Sequence, residues 1–238
     1  MSTTNQPSLF PPVDTALQDP NGLLAMGGEL STERLVNAYQ HGIFPWFQDG
    51  HIPLWWSPDP RAVIRPESVC ITRSLRKTMR RYAYRLSIDE AFDRVIAGCA
   101  ESRIDSDSTW ISPDMARAYS GLFSAGHAHS LEVWDKDELI GGLYGVASGR
   151  VFSGESMFHR RSDASKIALA ALCTVLADAN WPLVDCQIHN PHLESLGAIE
   201  ISRAAFLDIL RRERSALPSP FPKKLPWHTS DQLERTLR

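Results

Sequence analysis

The stretch "HSLEVWDKDELIGGLYGVASGRVFSGESMF", residues 129–158, contains three runs of mainly apolar residues. The runs are separated by "DKD" and "SG", which are short connectors made of turn-forming residues. This arrangement is typical of adjacent antiparallel strands joined by hairpins. We therefore expect a three-stranded meander at the centre of the fold.

The residues that follow the meander extend the same unit. "SDASKIALAALCTVLADAN", residues 162–180, is strongly apolar and predicts a central, buried helix. "LVDCQ", residues 183–187, is typical of a buried strand, and helices are expected near residues 191–198 and 202–214. The tail beyond Leu217 carries four prolines and is expected to be irregular coil or mobile.

The part of the chain before the meander changes character near Pro60. Up to Asp59 it is rich in proline, turn residues and aromatic residues, with one short helix that Ser31 can cap and Gly42 can end. From Pro60 onward, strands are expected at 61–71 and 82–88, and helices at 73–81, 87–102 (with a Ser87–Glu90 capping box) and 112–127.

This order of elements predicts an α+β protein. We expect a small N-terminal domain, residues 1–59, followed by a domain of residues 60–238. The second domain should have a mixed, mostly antiparallel sheet flanked by helices.

Composition excludes several classes of protein. Hydrophobic residues make up 43% and charged residues 22% of the 238 residues, which is ordinary for a globular protein. The four cysteines are scattered, so neither a zinc cage nor a disulfide framework is expected. The start of the chain does not resemble a signal peptide, and no apolar run approaches 18 residues, so we expect a cytoplasmic protein.

Motifs for familiar chemistry are also missing. The sequence has no GxSxG, Walker, GxGxxG or HExxH pattern, so it indicates no covalent nucleophile. His127 and His129 have no convincing third ligand nearby, so no metal site is expected.

Positive charge is concentrated in one part of the chain. Between Arg61 and Arg85 there are eight Lys or Arg residues and one acid, Glu67, whereas the chain as a whole has a net charge of −3. Five of these basic residues fall at helical spacing and should share one face: Arg73, Arg76, Lys77, Arg80 and Arg81. The stripe is either an ordinary solvated helix face or a surface for a phosphate backbone.

Several aromatic residues lie in segments that are expected to be loops. Trp46, Trp55, Trp56 and Trp110 are the largest of them. They either pack in the core, as most tryptophans do, or form a platform on which a nucleobase stacks. Together with the basic stripe, the second alternative would suit the end of an RNA.

Asp185 and Gln187 lie two residues apart in the strand "LVDCQ". Side chains alternate along a strand, so both are expected on the same face as Leu183, with Cys186 packed on the other. Unpaired buried polar groups are costly, so two alternatives are open. Either both side chains face a substrate cleft, or Asp185 and Gln187 form a buried hydrogen bond with each other. Glu155, near the end of another strand, is a third polar candidate.

With these residues assembled, the chain closely resembles the leucyl/phenylalanyl-tRNA–protein transferases from about Phe10 to about Leu210. The matching blocks are "GLLAMGGELSTERLVNAYQHGIFPWF", "WWSPDPRAVI", "GHAHSLEVW", "ELIGGLYGVA", "FSGESMF" and "LVDCQ", with "SLGA" soon after. The resemblance implies a catalytic domain like that of the acetyl-CoA-dependent N-acyltransferases, the GNAT fold. It also implies transfer of leucine or phenylalanine from aminoacyl-tRNA to proteins that begin with Arg or Lys, which marks them for degradation.

The resemblance also implies roles for individual residues. They are Trp46 and Trp110 for the terminal adenosine; Arg73, Lys77, Arg80 and Arg81 for the tRNA stem; Leu143, Phe152, Met157 and Leu172 for the aminoacyl side-chain pocket; and Glu155, Asp185 and Gln187 for the active site. We expect Gln187 to orient the attacking amine through its carbonyl oxygen, and Asp185 to accept an N–H of the Gln187 amide.

One departure from the GNAT pattern is visible. The join "GESMFHRRSDASK" has no Gln/Arg-x-x-Gly-x-Gly/Ala loop to hold the CoA pyrophosphate, so no cofactor is expected. Two alternatives remain open, a CoA-dependent N-acetyltransferase and a non-catalytic tRNA-binding module. The sequence leaves undecided the relative preference for Leu, Phe and Met donors, the acceptor proteins and the oligomeric state, although nothing demands more than a monomer.

Overall fold

The computed structural model describes residues 8–101, 111–215 and 221–237. Within these residues the strands are β1 (Leu23–Met26), β2 (Phe44–Pro45), β3 (Leu54–Trp56), β4 (Arg61–Ile64), β5 (Arg85–Ile88), β6 (Ala128–Asp135), β7 (Glu138–Ser148), β8 (Val151–His159), β9 (Leu183–Gln187) and β10 (Ile199–Ile201). The α-helices are α1 (Thr32–Gln40), α2 (Arg73–Tyr82), α3 (Phe92–Glu101), α4 (Pro113–Ser124), α5 (Ala164–Asp178), α6 (Pro191–Ser195), α7 (Arg203–Ser215) and α8 (Ser230–Thr236).

The larger sheet has seven strands in the described part of the chain, in the order β10-β4-β9-β8-β7-β6-β5. The β6-β7-β8 meander is confirmed, with Leu143 opposite Leu131 on one side and Met157 on the other. Strands β8 and β9 pair in parallel, and the other neighbours pair antiparallel. The predicted α+β class and mixed, mostly antiparallel sheet are therefore confirmed.

Apolar side chains cover both faces of this sheet. On one face, Leu172 and Leu176 of α5 pack with Ile64 and Leu143 of the sheet and with Leu75 of α2. Helix α5 is apolar around most of its circumference because it is enclosed between the sheet and other elements. The central helix predicted from residues 162–180 is thus confirmed.

Helices α3 and α4 cover much of the opposite face. Val95 of α3 and Tyr119 of α4 pack with Tyr144 of β7, and Leu35 and Trp55 from the N-terminal segment belong to the same cluster. Helix α7 covers the β4-β9-β8 end of this face through a separate cluster: Phe206 and Leu210 with Val63, Val151 and Leu183. The N-terminal segment therefore shares a core with the larger sheet.

The N-terminal segment forms a three-stranded sheet, β1-β3-β2, beside helix α1. As predicted, Ser31 caps α1 by accepting a hydrogen bond from the Arg34 N–H, and Gly42 follows the helix with a φ of +74°. Trp55 and Trp56 are buried, and their ring N–H groups donate to the carbonyls of Gly27 and Trp46. These two tryptophans fit the packing alternative and not the stacking platform.

The C-terminal tail is irregular coil over residues 221–228, as predicted, but it is packed on the core and ends in a helix that was not predicted. Trp227 and Leu233 are buried, and Phe221 stacks on the imidazole of His129 with ring centroids 4.0 Å apart. Residues 230–236 form α8, which packs along α2. Apolar side chains spaced between the prolines supply the burial that the proline count alone did not reveal.

A second correction concerns the start of α3. The helix begins at Phe92, whereas Ser87 lies in β5 and its hydroxyl donates to the buried carboxylate of Glu132. The predicted Ser87–Glu90 capping box is therefore wrong. A serine near the end of an edge strand satisfies the same local pattern as an N-cap, and only the sheet partner distinguishes them.

Candidate active site

A cleft opens where strands β8 and β9 stop pairing. Their hydrogen-bonded register ends at Ser153 opposite Asp185. The cleft has a volume of about 90 Å³ and is lined by Phe44, Pro45, Trp46, Glu155, Cys186, Gln187 and Ile188. A cavity needs about 10–15 Å³ of such volume to hold one water, so this space can admit the reacting groups of a substrate.

Glu155 reaches the cleft because β8 is irregular at this point. The register with β7 shifts between Tyr144 and Gly145, so that Glu155 is the extra residue of a β-bulge. Bulges re-aim side chains and are common beside active sites. Glu155 is 9% exposed, and its carboxylate accepts hydrogen bonds from the Tyr119 hydroxyl at 2.6 Å and from Gln187 Nε2 at 2.8 Å.

The ionisation of Glu155 falls in the neutral range. Burial raises the pKa of the Glu155 carboxyl to about 7, although hydrogen bonds from Tyr119, Tyr39 and Gln187 act to lower it. The negative charge of Asp185 adds to the increase. A carboxyl group with this pKa can both accept and return a proton near neutral pH.

Gln187 is held in an unusual backbone conformation. Its φ is +61°, and the N–H of Ile188 donates to the carbonyl of Cys186 at 2.7 Å across it. This is the pattern of a γ-turn with positive φ, a rare and strained arrangement for a residue other than glycine. Because one N–H of the amide donates to Glu155, the Gln187 carbonyl oxygen can still accept a hydrogen bond from a substrate.

The burial and the hydrogen bonds of Asp185 contradict two expectations from the sequence. It is 1% exposed and forms a bidentate ion pair with Arg61, with both N···O distances at 2.8 Å, so its carboxylate does not face the cleft. It accepts the backbone N–H of Gln187 at 3.0 Å, while the side-chain amide of Gln187 bonds to Glu155 instead. The left-handed turn at Gln187 redirects that side chain, so simple strand alternation failed here.

Arg61 joins the two walls of the cleft. Its guanidinium lies between the rings of Phe44 and Phe206, 4.9 and 4.6 Å from their centroids, and Nη1 donates to the Gly42 carbonyl at 3.1 Å. Arg61 is the first of the eight basic residues between positions 61 and 85 that suggested a charged surface, but it is buried. Its place at the start of an apolar strand, "RAVI", is the one signal that could have identified it as an internal residue.

Two tyrosines that sequence analysis did not single out contact the candidate site. Tyr119 donates to Glu155, and the hydroxyls of Tyr39 and Tyr119 are 2.7 Å apart. Both lie on the apolar faces of amphipathic helices, where a tyrosine cannot be told from a packing residue. Cys186, expected to face away, lines the cleft, and burial raises the pKa of its thiol, so it is not an activated nucleophile.

The aromatic residues divide into three groups. Trp46 is 44% exposed and stands at the cleft, with its ring centroid 5.6 Å from that of Trp56. Trp55 and Trp56 are buried, as described above. Trp110 lies outside the described residues, so its predicted contact with adenosine stays a prediction.

The basic residues of α2 fall into an exposed group and a group paired with the C-terminal helix. Arg73, Lys77, Arg80 and Arg81 are exposed on the helix surface. Arg76 instead donates to Glu234 and to the Leu237 carbonyl, and Arg80 lies 3.8 Å from the other Glu234 oxygen. The C-terminal helix thus neutralises part of the stripe.

The four residues predicted to form the aminoacyl side-chain pocket belong to one apolar cluster. Leu143, Phe152 and Leu172 are buried in the cluster on the α5 face, and Met157 packs against them with part of its surface exposed. None of the four is among the residues that line the described cleft. All four side chains are apolar, and their role as a pocket for the aminoacyl side chain stays a prediction.

Two kinds of feature are missing from the described residues. No helix among them has the length and apolar composition needed to cross a membrane. No group of three or more His, Cys, Asp or Glu side chains in the same residues has a geometry that could hold a metal ion. His129, one of the two histidines considered, is bonded to Asp89 at 2.8 Å.

Most of the chain is similar to known proteins. Residues 63–211 match the family model described as leucyl/phenylalanyl-tRNA protein transferase, and residues 28–59 match the model of the N-terminal domain of that family. A leucyl/phenylalanyl-tRNA–protein transferase of Pseudomonas syringae is 53% identical over 203 residues, covering 85% of this chain and 89% of its own. One from Methylococcus capsulatus is 55% identical over 197 residues, covering 83% and 84%.

A structural comparison gives a weaker likeness. The solved structure of L-PGS from Bacillus licheniformis is similar with a TM-score of 0.39 and 10% identity, covering 78% of this chain and 71% of its own. A likeness at this level does not define a common fold.

The sequence matches identify the class of protein as an enzyme, an aminoacyltransferase. More particularly, the chain belongs to the leucyl/phenylalanyl-tRNA protein transferase family, since a family model matches more than half of it and the relatives share over half of its aligned residues.

Proposed function

We propose that this protein transfers leucine or phenylalanine from aminoacyl-tRNA to the amino terminus of proteins that begin with Arg or Lys. The observation that best supports this proposal is the cleft itself, where the Gln187 amide, the Glu155 carboxylate and the exposed ring of Trp46 meet. The names of the relatives supply the substrate class. Methionine is a third candidate donor, and the new terminal residue would mark the acceptor for degradation.

The chemistry requires orientation and proton removal rather than a cofactor. The donor is an ester and the product is an amide, so the transfer runs downhill without ATP. The acceptor amine attacks as its free base, and the carbonyl oxygen of Gln187 accepts a hydrogen bond from it and fixes its direction. Asp185 acts on Gln187 indirectly, because it holds the backbone N–H of that residue while Arg61 neutralises its charge.

The donor would be held at two places. The exposed ring of Trp46 suits stacking with the terminal adenosine, which is worth about 1–3 kcal/mol per base, and Trp110 is the second proposed contact. The exposed residues of α2 would bind the stem phosphates: Arg73, Lys77, Arg80 and Arg81.

The apolar group on the α5 face of the sheet would receive the leucine or phenylalanine side chain. We assign this role to Leu143, Phe152, Met157 and Leu172. A hydrophobic pocket discriminates a missing methylene by only about 1–3 kcal/mol, so several apolar donors would compete. Entry through the gap where β8 and β9 separate would bring a side chain to Met157, which is the partly exposed member of the group.

The start of α5 disfavours CoA as the donor. Asp163 precedes the helix with a φ of +69° and accepts a hydrogen bond from Thr78 at 2.9 Å. A pyrophosphate at a helix N-terminus needs free backbone N–H groups and no neighbouring carboxylate. We therefore propose that the catalytic domain, residues 60–238, is GNAT-like but loaded by tRNA, with residues 1–59 as a small N-terminal domain. The reaction needs no second copy and would take place in the cytoplasm, where its substrates occur.

The direct test is incubation with radiolabelled leucyl-tRNA and a small protein that begins with Arg. We expect label in the protein fraction that survives mild alkali, which hydrolyses aminoacyl-tRNA but not a peptide bond. The matched control is the same acceptor with an acetylated amino terminus, which should stay unlabelled. Binding of tRNA without labelled product would favour the non-catalytic module, and binding of CoA by calorimetry would favour the acetyltransferase.

A further inference from the structure

Two phenol groups form a buried line that ends at Glu155. Tyr119 of α4 donates to Glu155 Oε2 at 2.6 Å, and the hydroxyls of Tyr39 and Tyr119 are 2.7 Å apart. Either hydroxyl can be the donor in the bond between the two phenols, and hydrogen bonds from both act to lower the pKa of the Glu155 carboxyl. Tyr39 belongs to α1, so two helices that are distant in sequence hold one oxygen of the same carboxylate.

The remaining titratable groups around Glu155 come from two strands. Tyr144 of β7 packs its ring against Tyr119 with centroids 5.3 Å apart, and Asp185 and Cys186 lie on β9. The pKa values of the Tyr39 and Tyr119 hydroxyls are raised well above their ordinary range by burial and by the charge of Glu155. Both phenols therefore stay protonated at neutral pH and act as fixed donors.

Among the polar groups of the cleft, Glu155 is the one suited to receive a proton. An amide such as that of Gln187 cannot hold one at neutral pH. Asp185 is enclosed and committed to Arg61. The Glu155 carboxylate lines the cleft and is joined directly to Gln187, which would orient the amine.

We propose that Glu155 accepts the proton released when the acceptor amine attacks the ester, and that Tyr119, held by Tyr39, is a positioning residue that keeps this carboxylate ionised and directed at the cleft. This inference rests on the proposed function. The amine nitrogen forms a bond to the ester carbonyl carbon, and the bond from that carbon to the ribose oxygen breaks. One amine proton passes to Glu155, which then returns it to the departing ribose oxygen, so that no oxidant or other reactant is needed.

The test compares pH profiles of kcat/KM for the acceptor between pH 5.5 and 8.5. Two ionisations should limit the rate on the acid side, that of the acceptor α-amine near 8 and that of Glu155 near 7. Tyr119→Phe removes a hydrogen bond that favours the carboxylate, so the lower ionisation should move up by about one unit. The rate at pH 6.5 should then fall about eightfold, whereas the rate at pH 8.5 should change little.

Three further variants make the result specific. Tyr39→Phe should shift the profile in the same direction by less, and it replaces Tyr119→Phe if that variant does not fold. Glu155→Gln should lower the rate by about 10²–10⁴-fold above pH 7, and by less at lower pH, where the carboxyl of the unaltered protein is itself mostly protonated. Tyr84→Phe removes a phenol hydroxyl in the other core cluster and should leave the profile of the unaltered protein in place.

A profile for Tyr119→Phe that coincides with that of the unaltered protein would overturn the positioning role, and a Glu155→Gln variant of normal rate would overturn the proton-acceptor role. The carboxyl can also be titrated without substrate by ¹³C NMR of the protein labelled at glutamate, with Glu155→Gln assigning the signal. Failure of the unaltered protein to transfer any amino acid would refute the proposed function and the proton-acceptor role together. The NMR titration would still decide whether Tyr119 controls the ionisation of this carboxyl.

Discussion

Arg61 and Asp185 face each other inside the protein, each 1% exposed, with two N···O distances of 2.8 Å. The pair connects β4 to β9 directly beneath Gln187, whose backbone N–H shares the Asp185 carboxylate. Stability and the geometry of the cleft therefore depend on the same ion pair.

Loss of one partner of this pair should be costly. Asp185→Asn leaves the buried guanidinium without a counter-charge, which should reduce the free energy of unfolding by about 3–5 kcal/mol. The double variant Arg61→Met with Asp185→Leu removes both charges and should recover much of that loss, because apolar replacements of a buried pair are often well tolerated. Urea denaturation measures both, and equal losses in the single and double variants would contradict the prediction.

Gln187 should lower the stability of the protein through its backbone conformation while its side-chain amide supports activity. Gln187→Gly relieves the positive φ, so its free energy of unfolding should exceed that of Gln187→Ala by about 1–2 kcal/mol. Both variants lose the amide and should transfer about a hundredfold more slowly, while binding aminoacyl-tRNA normally in a filter assay. Unchanged transfer by Gln187→Ala would remove its orienting role, and equal stability of the two variants would refute backbone strain.

The basic residues of α2 should fall into two functional classes. Arg80→Ala with Arg81→Ala should weaken tRNA binding and reduce the slope of log affinity against log salt by about 0.9 for each phosphate that the protein no longer neutralises. Arg76→Ala is the matched control, because this arginine is engaged by Glu234 and the Leu237 carbonyl. It should lower stability with little effect on the slope. If the double variant leaves the salt slope unaltered, the exposed basic residues of α2 form an ordinary solvated helix face and do not bind tRNA.

Trp46 and Trp55 form a second matched pair. Trp46→Ala should weaken binding of an aminoacyl-adenosine fragment by about 1–3 kcal/mol, since the exposed ring is free to stack, and should leave stability nearly unchanged. Trp55→Ala removes a fully buried ring and should cost about 3–5 kcal/mol of stability. Calorimetry and urea denaturation separate the two effects. A Trp46→Ala variant that binds the fragment normally would argue against stacking at this position.

The sequence predicted those features that follow from local pattern. The meander over residues 129–158 and the apolar helix over 162–180 have strong periodicity or composition, and both formed as expected. The α1 helix was predicted with its cap and its terminal glycine, since both depend on neighbouring residues. The candidate site could also be located in general terms, because polar side chains inside a sheet are costly unless they meet a partner or a ligand.

The contacts that organise the site depend on residues far apart in the chain. Arg61 and Asp185 are 124 positions apart, and nothing local to either distinguishes a buried ion pair from a surface charge. The partner of the Gln187 amide was predicted wrongly because a single positive φ redirected the side chain. The tail was predicted as coil because its prolines were visible, whereas the docking of α8 on α2 required the tertiary structure.

The contact between Tyr39 and Glu155 restricts which N-terminal segments can be combined with which catalytic domains in this family. A phenol from the front of the chain completes the surroundings of a carboxylate on β8 more than a hundred positions later. A hybrid protein could join the N-terminal segment of one relative to the remainder of another. It would keep its transfer activity only if the hydroxyl corresponding to Tyr39 still reached the one corresponding to Tyr119. We therefore expect Tyr39, Tyr119 and Glu155 to change together, or not at all, as the two segments diverge.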